Sequence, residues 1–389
     1  MPVEASVKVN VQERVGNMDR SSMNHGSRWL RQSLVGALIV VGLNRAPCAF
    51  AAGDTVTLKD GKTQDVTVLS EDYDGVWYNF QKAQSRFNWA DIVSIRYTGA
   101  TDYYKALDAV AAGKLNEAVP ALEKLAGDAK TRAPLRHGAL YALGMAYQRS
   151  GDLEKAIADY QELLKSFPKS HYLMQVGANL IGAHLTKGDV ASAAKALDDF
   201  LAGAKSAGIE AKFQTGFGLL RARVLEEQKK YPDAQALYSG VAGDSSLSVD
   251  IVAAGKLGVG RCLLATNKKP EAEKLFREIT AVDAENTVLA GAWNGLGDLA
   301  LDVGTEKRDL EKLNDALFCY LRGVVLYGPT RDESTDEYER SLAQSAKAFR
   351  SIGEVEKDAE KKKLFLDRAA QRTEQLKQQF PTSRYLKAK

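Results

Sequence analysis

The chain has 389 residues, of which 45% are hydrophobic and 26% charged, as in an ordinary soluble protein. This composition excludes a collagen-like, disordered or polytopic membrane protein, and the length allows two or three domains. The formal charge of +3 resides entirely in residues 1–51, and the balanced remainder gives no electrostatic reason to expect a nucleic-acid partner.

Residues 1–51 have the pattern of a secretory signal peptide. Arg28 and Arg31 precede the apolar run 33–43, and the small-x-small motif 49–51 (AFA) follows it. The run is shorter than the roughly 20 residues that span a bilayer. The sequence therefore predicts export with cleavage after Ala51, and the alternative interpretation of the run is a buried core helix.

The three cysteines raise the questions of a lipid anchor and a disulfide. Cys48 follows Arg45 and Pro47, whereas a bacterial lipobox usually has Leu three places before the cysteine and a small residue directly before it. The sequence therefore favours no lipidation. Cys262 and Cys319 are predicted to be small buried hydrophobic residues, although an exported protein could also join them in a disulfide.

Residues 52–99 are predicted to form a small β domain. Apolar and polar residues alternate in short runs, separated by the turns Asp60-Gly61 and Asp74-Gly75. This period of two, with Asp-Gly turns, indicates four or five short antiparallel strands. The pattern resembles the SH3-like or Sm-like modules at the front of secreted bacterial proteins.

The β domain is rich in aromatic residues, which a small sheet needs for its core. Trp77 is the exception, because it alternates out of phase with Val76 and Tyr78 and should point to the other face. Trp77 is therefore a candidate contact residue. An alternative function follows, in which Trp77 and Trp89 stack on the sugar rings of a carbohydrate or of peptidoglycan.

Residues 140–170 contain a helix, a Gly-Asp turn, a second helix and a proline stop. They resemble a tetratricopeptide repeat, a 34-residue helix-turn-helix unit, with Leu140 where that family prefers Trp. Small side chains at two positions let the paired helices approach, and two tyrosines fill the space between units. The residues that carry these features are Gly144, Ala156, Tyr147 and Tyr160.

The small residue of the second helix recurs along residues 101–386. These anchor alanines are Ala118, Ala156, Ala193, Ala234, Ala272, Ala316 and Ala369. They predict a mainly α protein with about seven helix hairpins, a tetratricopeptide-type α-solenoid behind the β domain. Residues 305–313 are predicted to be an insertion that separates the helices of the sixth unit.

The last helix, predicted over 361–379, is basic. It is interpreted as a solvated cap, and the alternative is peripheral contact with a membrane or peptidoglycan.

The sequence predicts no catalytic, cofactor or metal site. His137, His171 and His184 lack the i, i+4 spacing of a helical zinc site, and each is interpreted as a surface or inter-repeat residue. No lipase-type serine motif, phosphate loop or metalloprotease motif occurs. The acidic pair Glu226-Glu227 is interpreted as a solvated helix face. These features predict a protein that is not an enzyme.

The resemblance instead implies a binding surface, because the first helices of tetratricopeptide repeats line a concave groove that receives a partner peptide. The partner-binding residues implied here are Tyr141, Met145, Gln148, Arg223, Glu226, Arg261, Asn294 and Asp298. Together with the signal peptide, this predicts an exported scaffold of the bacterial cell envelope. It would bind protein partners in the periplasm or at the outer membrane.

Overall fold

A computed structural model describes residues 53–80, 83–209, 211–329 and 334–386. The predicted signal peptide and Cys48 lie outside these residues. The described chain contains five β-strands followed by fourteen α-helices, which confirms the predicted fold class. In this part of the chain, every helix is too short or too polar to cross a membrane.

The β module is one antiparallel sheet in the order β4-β3-β2-β1-β5. The long strand β2 pairs with β1 through its first half and with β3 through its second, and the β2–β3 register shifts between Val68 and Ser70. The sheet therefore bends around a core that includes Val56, Val76 and Tyr78. The strands are β1 (Asp54–Leu58), β2 (Thr63–Asp72), β3 (Gly75–Phe80), β4 (Ala83–Phe87) and β5 (Ile92–Arg96).

The helices form seven hairpins, numbered here as units one to seven. Units one to three are α1 (Thr101–Ala111) with α2 (Leu115–Gly127), α3 (Ala133–Ser150) with α4 (Leu153–Ser166), and α5 (Leu173–Lys187) with α6 (Val190–Ser206). Units four and five are α7 (Gln214–Glu227) with α8 (Tyr231–Ala242), and α9 (Val249–Ala265) with α10 (Lys269–Thr280). Units six and seven are α11 (Asn286–Lys307) with α12 (Leu310–Val325), and α13 (Asp336–Val355) with α14 (Ala359–Gln379).

The predicted seam of small residues holds each hairpin together. All seven anchor alanines are buried. In unit two, the ring of Tyr160 is fully buried against Gly144, where an added Cβ would overlap it. Glycine is needed there because the ring occupies the space of a side chain.

The prediction of an insertion at residues 305–313 is wrong. Residues 305–307 extend α11, and residues 310–313 begin α12. Arg308 takes a left-handed conformation with φ 51°, and the Asp309 side chain accepts the backbone N–H groups of Glu311 and Lys312. These polar residues cap and extend the helices, so only a two-residue turn separates them.

Cys262 and Cys319 lie in α9 and α12 as free thiols. Cys262 is buried, as predicted, and Cys319 is half-buried.

Candidate functional site

The groove residues predicted from the sequence occupy equivalent places in successive first helices. Met145, Gly182, Arg223 and Arg261 each lie eleven residues before the anchor alanine of their unit, although Gly182 was not among the predicted residues. They belong to α3, α5, α7 and α9. The structure surrounds these equivalent positions very differently in the two halves of the array.

The face of units two and three is open. Tyr141 stacks on Tyr172 with ring centroids 4.0 Å apart, and Gln148 accepts the Tyr160 O–H at 3.0 Å. Tyr141, Met145 and Gln148 are all half-buried. A Cβ added at Gly182 would meet nothing within 4 Å, so there is room above this face.

The face of units four to seven is filled by ion pairs. The Arg261 guanidinium donates to both carboxylate oxygens of Glu226, at 2.9 and 3.1 Å, and reaches Glu337 at 3.1 Å. Arg223 on α7 lies 3.4 Å from Asp336 at the start of α13. The array is therefore curved enough for the first helices of units four and seven to meet. Glu226 is not a solvated residue, contrary to its interpretation from the sequence.

Asp298 and Asn294 also belong to this internal network. Asp298 accepts hydrogen bonds from Tyr320 and Gln344, each at 2.8 Å, and pairs with Arg340. Asn294 is fully buried and donates to the backbone and side chain of Glu337. This burial corrects the placement of Asn294 on the contact surface. Its amide is instead required to satisfy a buried carboxylate.

The C-terminal segment after α14 returns to the interior of the array. Arg384 reaches Glu227 at 2.5 Å and Asp336 at 2.9 Å, so Glu227 is paired as well. Burial alone would raise the pKa of Asp336, but the nearby Arg384 and Arg223 guanidinium groups hold it below its ordinary value. The Thr382 methyl lies against Gly151, at the turn of unit two. Residues 382–384 therefore connect units two, four and seven.

The β module is docked against the early helical units through an ion pair whose acidic member is buried. Asp54 is 2% exposed, and its carboxylate accepts hydrogen bonds from both terminal nitrogens of Arg132, at 2.7 and 2.5 Å. It also accepts the backbone N–H groups of Val68 and Thr98 at 2.9 Å. Burial raises the pKa of Asp54, but these hydrogen bonds outweigh it and leave the pKa below its ordinary value.

The turn between β2 and β3 makes a second contact with the helices. The Tyr73 backbone N–H donates to the carbonyl of Lys169 at 2.9 Å. Lys212 pairs with Asp74 at 2.7 Å and lies 4.4 Å above the centre of the Tyr73 ring. Hydrogen bonds therefore join the module to unit two and to the segment before α7.

The two tryptophans proposed to stack on sugars have internal partners. Trp77 is half-buried, donates its indole N–H to Asp72 at 2.7 Å and lies under the Arg86 guanidinium. Trp89 donates to the carbonyl of Asp72 and packs against His171, with ring centroids 4.2 Å apart. These contacts give no specific support to the carbohydrate hypothesis.

A cluster of titratable residues at this junction was missed by the sequence analysis. His137 and His171 lie beside Glu71 of β2, and His137 is 1% exposed. Burial lowers the pKa of His171 to about 4, because desolvation disfavours the imidazolium form. The three residues come from separate segments of the chain, so no local spacing identifies them.

Comparison with known proteins bears on the helical array. Residues 103–171 and 219–287 match the family model described as tetratricopeptide repeat. These two segments carry tetratricopeptide repeats. The first segment covers units one and two except for the start of α1. The second covers units four and five except for the start of α7.

Several solved structures match the tetratricopeptide repeat array at low identity. A tetratricopeptide repeat protein from Parabacteroides merdae is 18% identical, with 69% of this chain and 99% of that chain covered and a TM-score of 0.42. Pseudomonas aeruginosa pilF is 18% identical, with coverages of 64% and 95% and a TM-score of 0.35. PilW, described as a type IV pilus biogenesis factor, is 16% identical, with coverages of 64% and 96% and a TM-score of 0.35. No curated protein matches the sequence.

Proteins built of tetratricopeptide repeats are generally non-catalytic scaffolds that bind other proteins.

Proposed function

We propose that this tetratricopeptide repeat protein is an exported adaptor of the bacterial cell envelope, without catalytic activity, that binds a protein partner through the open face of units two and three. The signal-peptide pattern of residues 1–51 supports export to the periplasm or the outer membrane. The repeats support a protein partner.

The observation that carries this proposal is the open space above Gly182. The equivalent positions in units four and five hold Arg223 and Arg261, which are engaged with acidic residues of the same chain. A partner at that end of the array would have to displace internal ion pairs. At Gly182, a partner side chain can enter without displacing anything within 4 Å of the missing Cβ.

The surface around Gly182 also favours a particular kind of partner. Tyr141 and Met145 offer an aromatic ring and a flexible thioether, which pack against varied apolar side chains. Gln148 adds an amide for hydrogen bonds with a partner backbone. This combination suits an extended or helical peptide that presents apolar anchor residues.

Two glycine substitutions test the binding face. Gly182→Trp places a large side chain on the open face, whereas Gly203→Trp places one on an exposed position of the second helix α6, where a Cβ also meets nothing within 4 Å. In vivo crosslinking and mass spectrometry of the cell envelope should recover the partner with the wild type and the Gly203 variant. Recovery should fall at least tenfold with the Gly182 variant. Equal recovery with both variants would refute binding through this face.

Export is tested independently of binding. Fractionation of cells and N-terminal sequencing should find the chain in the periplasm or at the outer membrane, beginning at Ala52. An uncleaved protein in the cytosol would contradict the envelope location and leave the binding experiment to be judged separately.

A further inference from the structure

Three potential metal ligands converge where the β module meets unit two. Glu71 lies on β2, His137 on α3, and His171 in the loop between α4 and α5. The Nδ1 atoms of His137 and His171 are each 3.7 Å from Oε2 of Glu71. The ligand atoms of all three residues lie within 4.8 Å of one another.

These ligand atoms are withdrawn from solvent but are not hydrogen-bonded to each other. The side chains of His137, Glu71 and His171 are 1%, 8% and 16% exposed. A distance of 3.7 Å is too long for an N–H···O hydrogen bond. The buried Nδ1 of His171 has no hydrogen-bond partner in the described chain, and an orphaned buried nitrogen costs free energy unless another group satisfies it.

Outer partners orient two of the ligands toward a common point. His137 Nε2 lies 2.5 Å from Oγ of Ser170, which also accepts the backbone N–H of Tyr172 at 2.9 Å. When Nε2–H donates to this oxygen, Nδ1 presents its lone pair to the cluster. Tyr97 donates its O–H to Oε1 of Glu71, which leaves Oε2 facing the two imidazoles. Such outer hydrogen bonds are typical of metal ligands.

Aromatic rings enclose the same point. The ring of His171 packs against Tyr172, with centroids 3.7 Å apart, and against Trp89 at 4.2 Å. The ring of His137 stacks on Phe167 at 4.8 Å. An apolar shell of this kind limits the access of water, and it strengthens the attraction between a carboxylate and a cation.

We propose that Glu71, His137 and His171 bind a divalent transition-metal ion of the zinc class. Two imidazoles and one carboxylate are ligands that Zn²⁺ accepts, with water completing the tetrahedron. Bonds of about 2.0–2.1 Å from Zn²⁺ to each ligand atom imply that the ligand atoms lie about 3.3 Å from one another. On binding, the ligand atoms must therefore approach one another by a few tenths of an ångström up to about 1.5 Å. Glu71 and the two histidines come from three segments, so the ion clamps the β module to unit two.

The test uses the full chain, purified without a histidine tag and freed of metal by a chelator. Isothermal titration with Zn²⁺ should show one ion per chain with Kd of about 1 µM or tighter, and saturating Zn²⁺ should raise Tm by a few degrees. Titration with Co²⁺ should give the visible absorption bands of a tetrahedral site. Mg²⁺ should not compete, because it prefers six oxygen ligands.

Matched variants separate this site from adventitious binding. His171→Ala should weaken Zn²⁺ binding at least a hundredfold, whereas His184→Ala, which removes another half-buried histidine outside the cluster, should leave it unchanged. Glu71→Gln keeps the shape of the side chain and should also abolish tight Zn²⁺ binding. It provides the test if His171→Ala fails to fold. The proposal is overturned if the wild type binds no stoichiometric Zn²⁺, or if the His171, Glu71 and His184 variants bind it equally.

Discussion

The first helices of units two and three and those of units four and five use the same repeat position for opposite purposes. Met145 and Gly182 leave their face open, whereas Arg223 and Arg261 close theirs with ion pairs to Asp336, Glu226 and Glu337. The difference shows that a repeat position determines where a side chain points. The chemical type of that side chain then decides whether the face binds a partner or stabilises the array.

Arg261→Met, in the half of the array that is filled by ion pairs, should cause the largest loss of stability. It removes the cation between Glu226 and Glu337, which leaves Glu226 without an ion-pair partner and Glu337 with only the longer pair to Arg340 at 3.5 Å. This loss should lower the free energy of unfolding by about 3 kcal/mol. Urea denaturation measures this loss. Arg277→Met is the control, because its pair with Glu273 is exposed and contributes less than about 1 kcal/mol. Equal losses of stability in the two variants would contradict this account, because the internal pairs would then contribute no more than an exposed pair.

Asp54→Asn tests the ion pair that docks the β module beside the open half. At pH 7 it should lower the free energy of unfolding by about 2 kcal/mol, because Arg132 loses its charged partner. The folded-state pKa of Asp54 lies below 3.8, so its stabilising contribution is complete above pH 3.8 and is lost as the pH falls through the folded pKa. The stability gap between wild type and variant should therefore narrow in acid. A gap that stays constant down to pH 2 would contradict this account.

Gly144→Ala and Gly297→Ala test whether the two halves share the same seam. The new Cβ would overlap Tyr160 in unit two and Tyr320 in unit six, so each should lower the free energy of unfolding by about 1–2 kcal/mol. Similar losses by thermal or urea denaturation would place the difference between the halves in the groove positions alone. A loss confined to one half would show that the seams differ too.

Gly182→Ala should have the smallest effect and the opposite sign. The open face accepts the methyl group, and alanine favours the helix, so stability should rise by about 0.5–1 kcal/mol. A measurable loss of stability would show that the space above Gly182 is occupied in the folded protein.

The seven hairpins could be predicted because their signals are local. An anchor alanine, followed four positions later by an aromatic residue or leucine in most units, is a feature of a single helix, and stacking repeats it along the chain. The strands of the β module were predictable for the same reason, from alternation and Asp-Gly turns. Residues 305–313 were misplaced because a polar, charged stretch can be either a loop or the exposed ends of two helices.

The ion pairs that fill the groove of units four to seven could not be predicted from the local sequence pattern. Glu226 and Arg261 look like ordinary charged residues on helix faces, and only the curvature of the array brings them together. Curvature depends on small rotations summed over several units, and no short window of sequence records that sum. The cluster of Glu71, His137 and His171 was missed likewise, because its members meet only after the β module docks.

The return of the C-terminal segment has a consequence for how this protein can evolve. Solenoids usually grow or shrink by duplicating or deleting whole repeats, since each unit touches only its neighbours. Here Thr382 meets the turn of unit two, and Asp336 meets Arg223 of unit four. An added or deleted repeat would pull these partners out of register, so the number of units is expected to stay at seven in descendants that keep this closure.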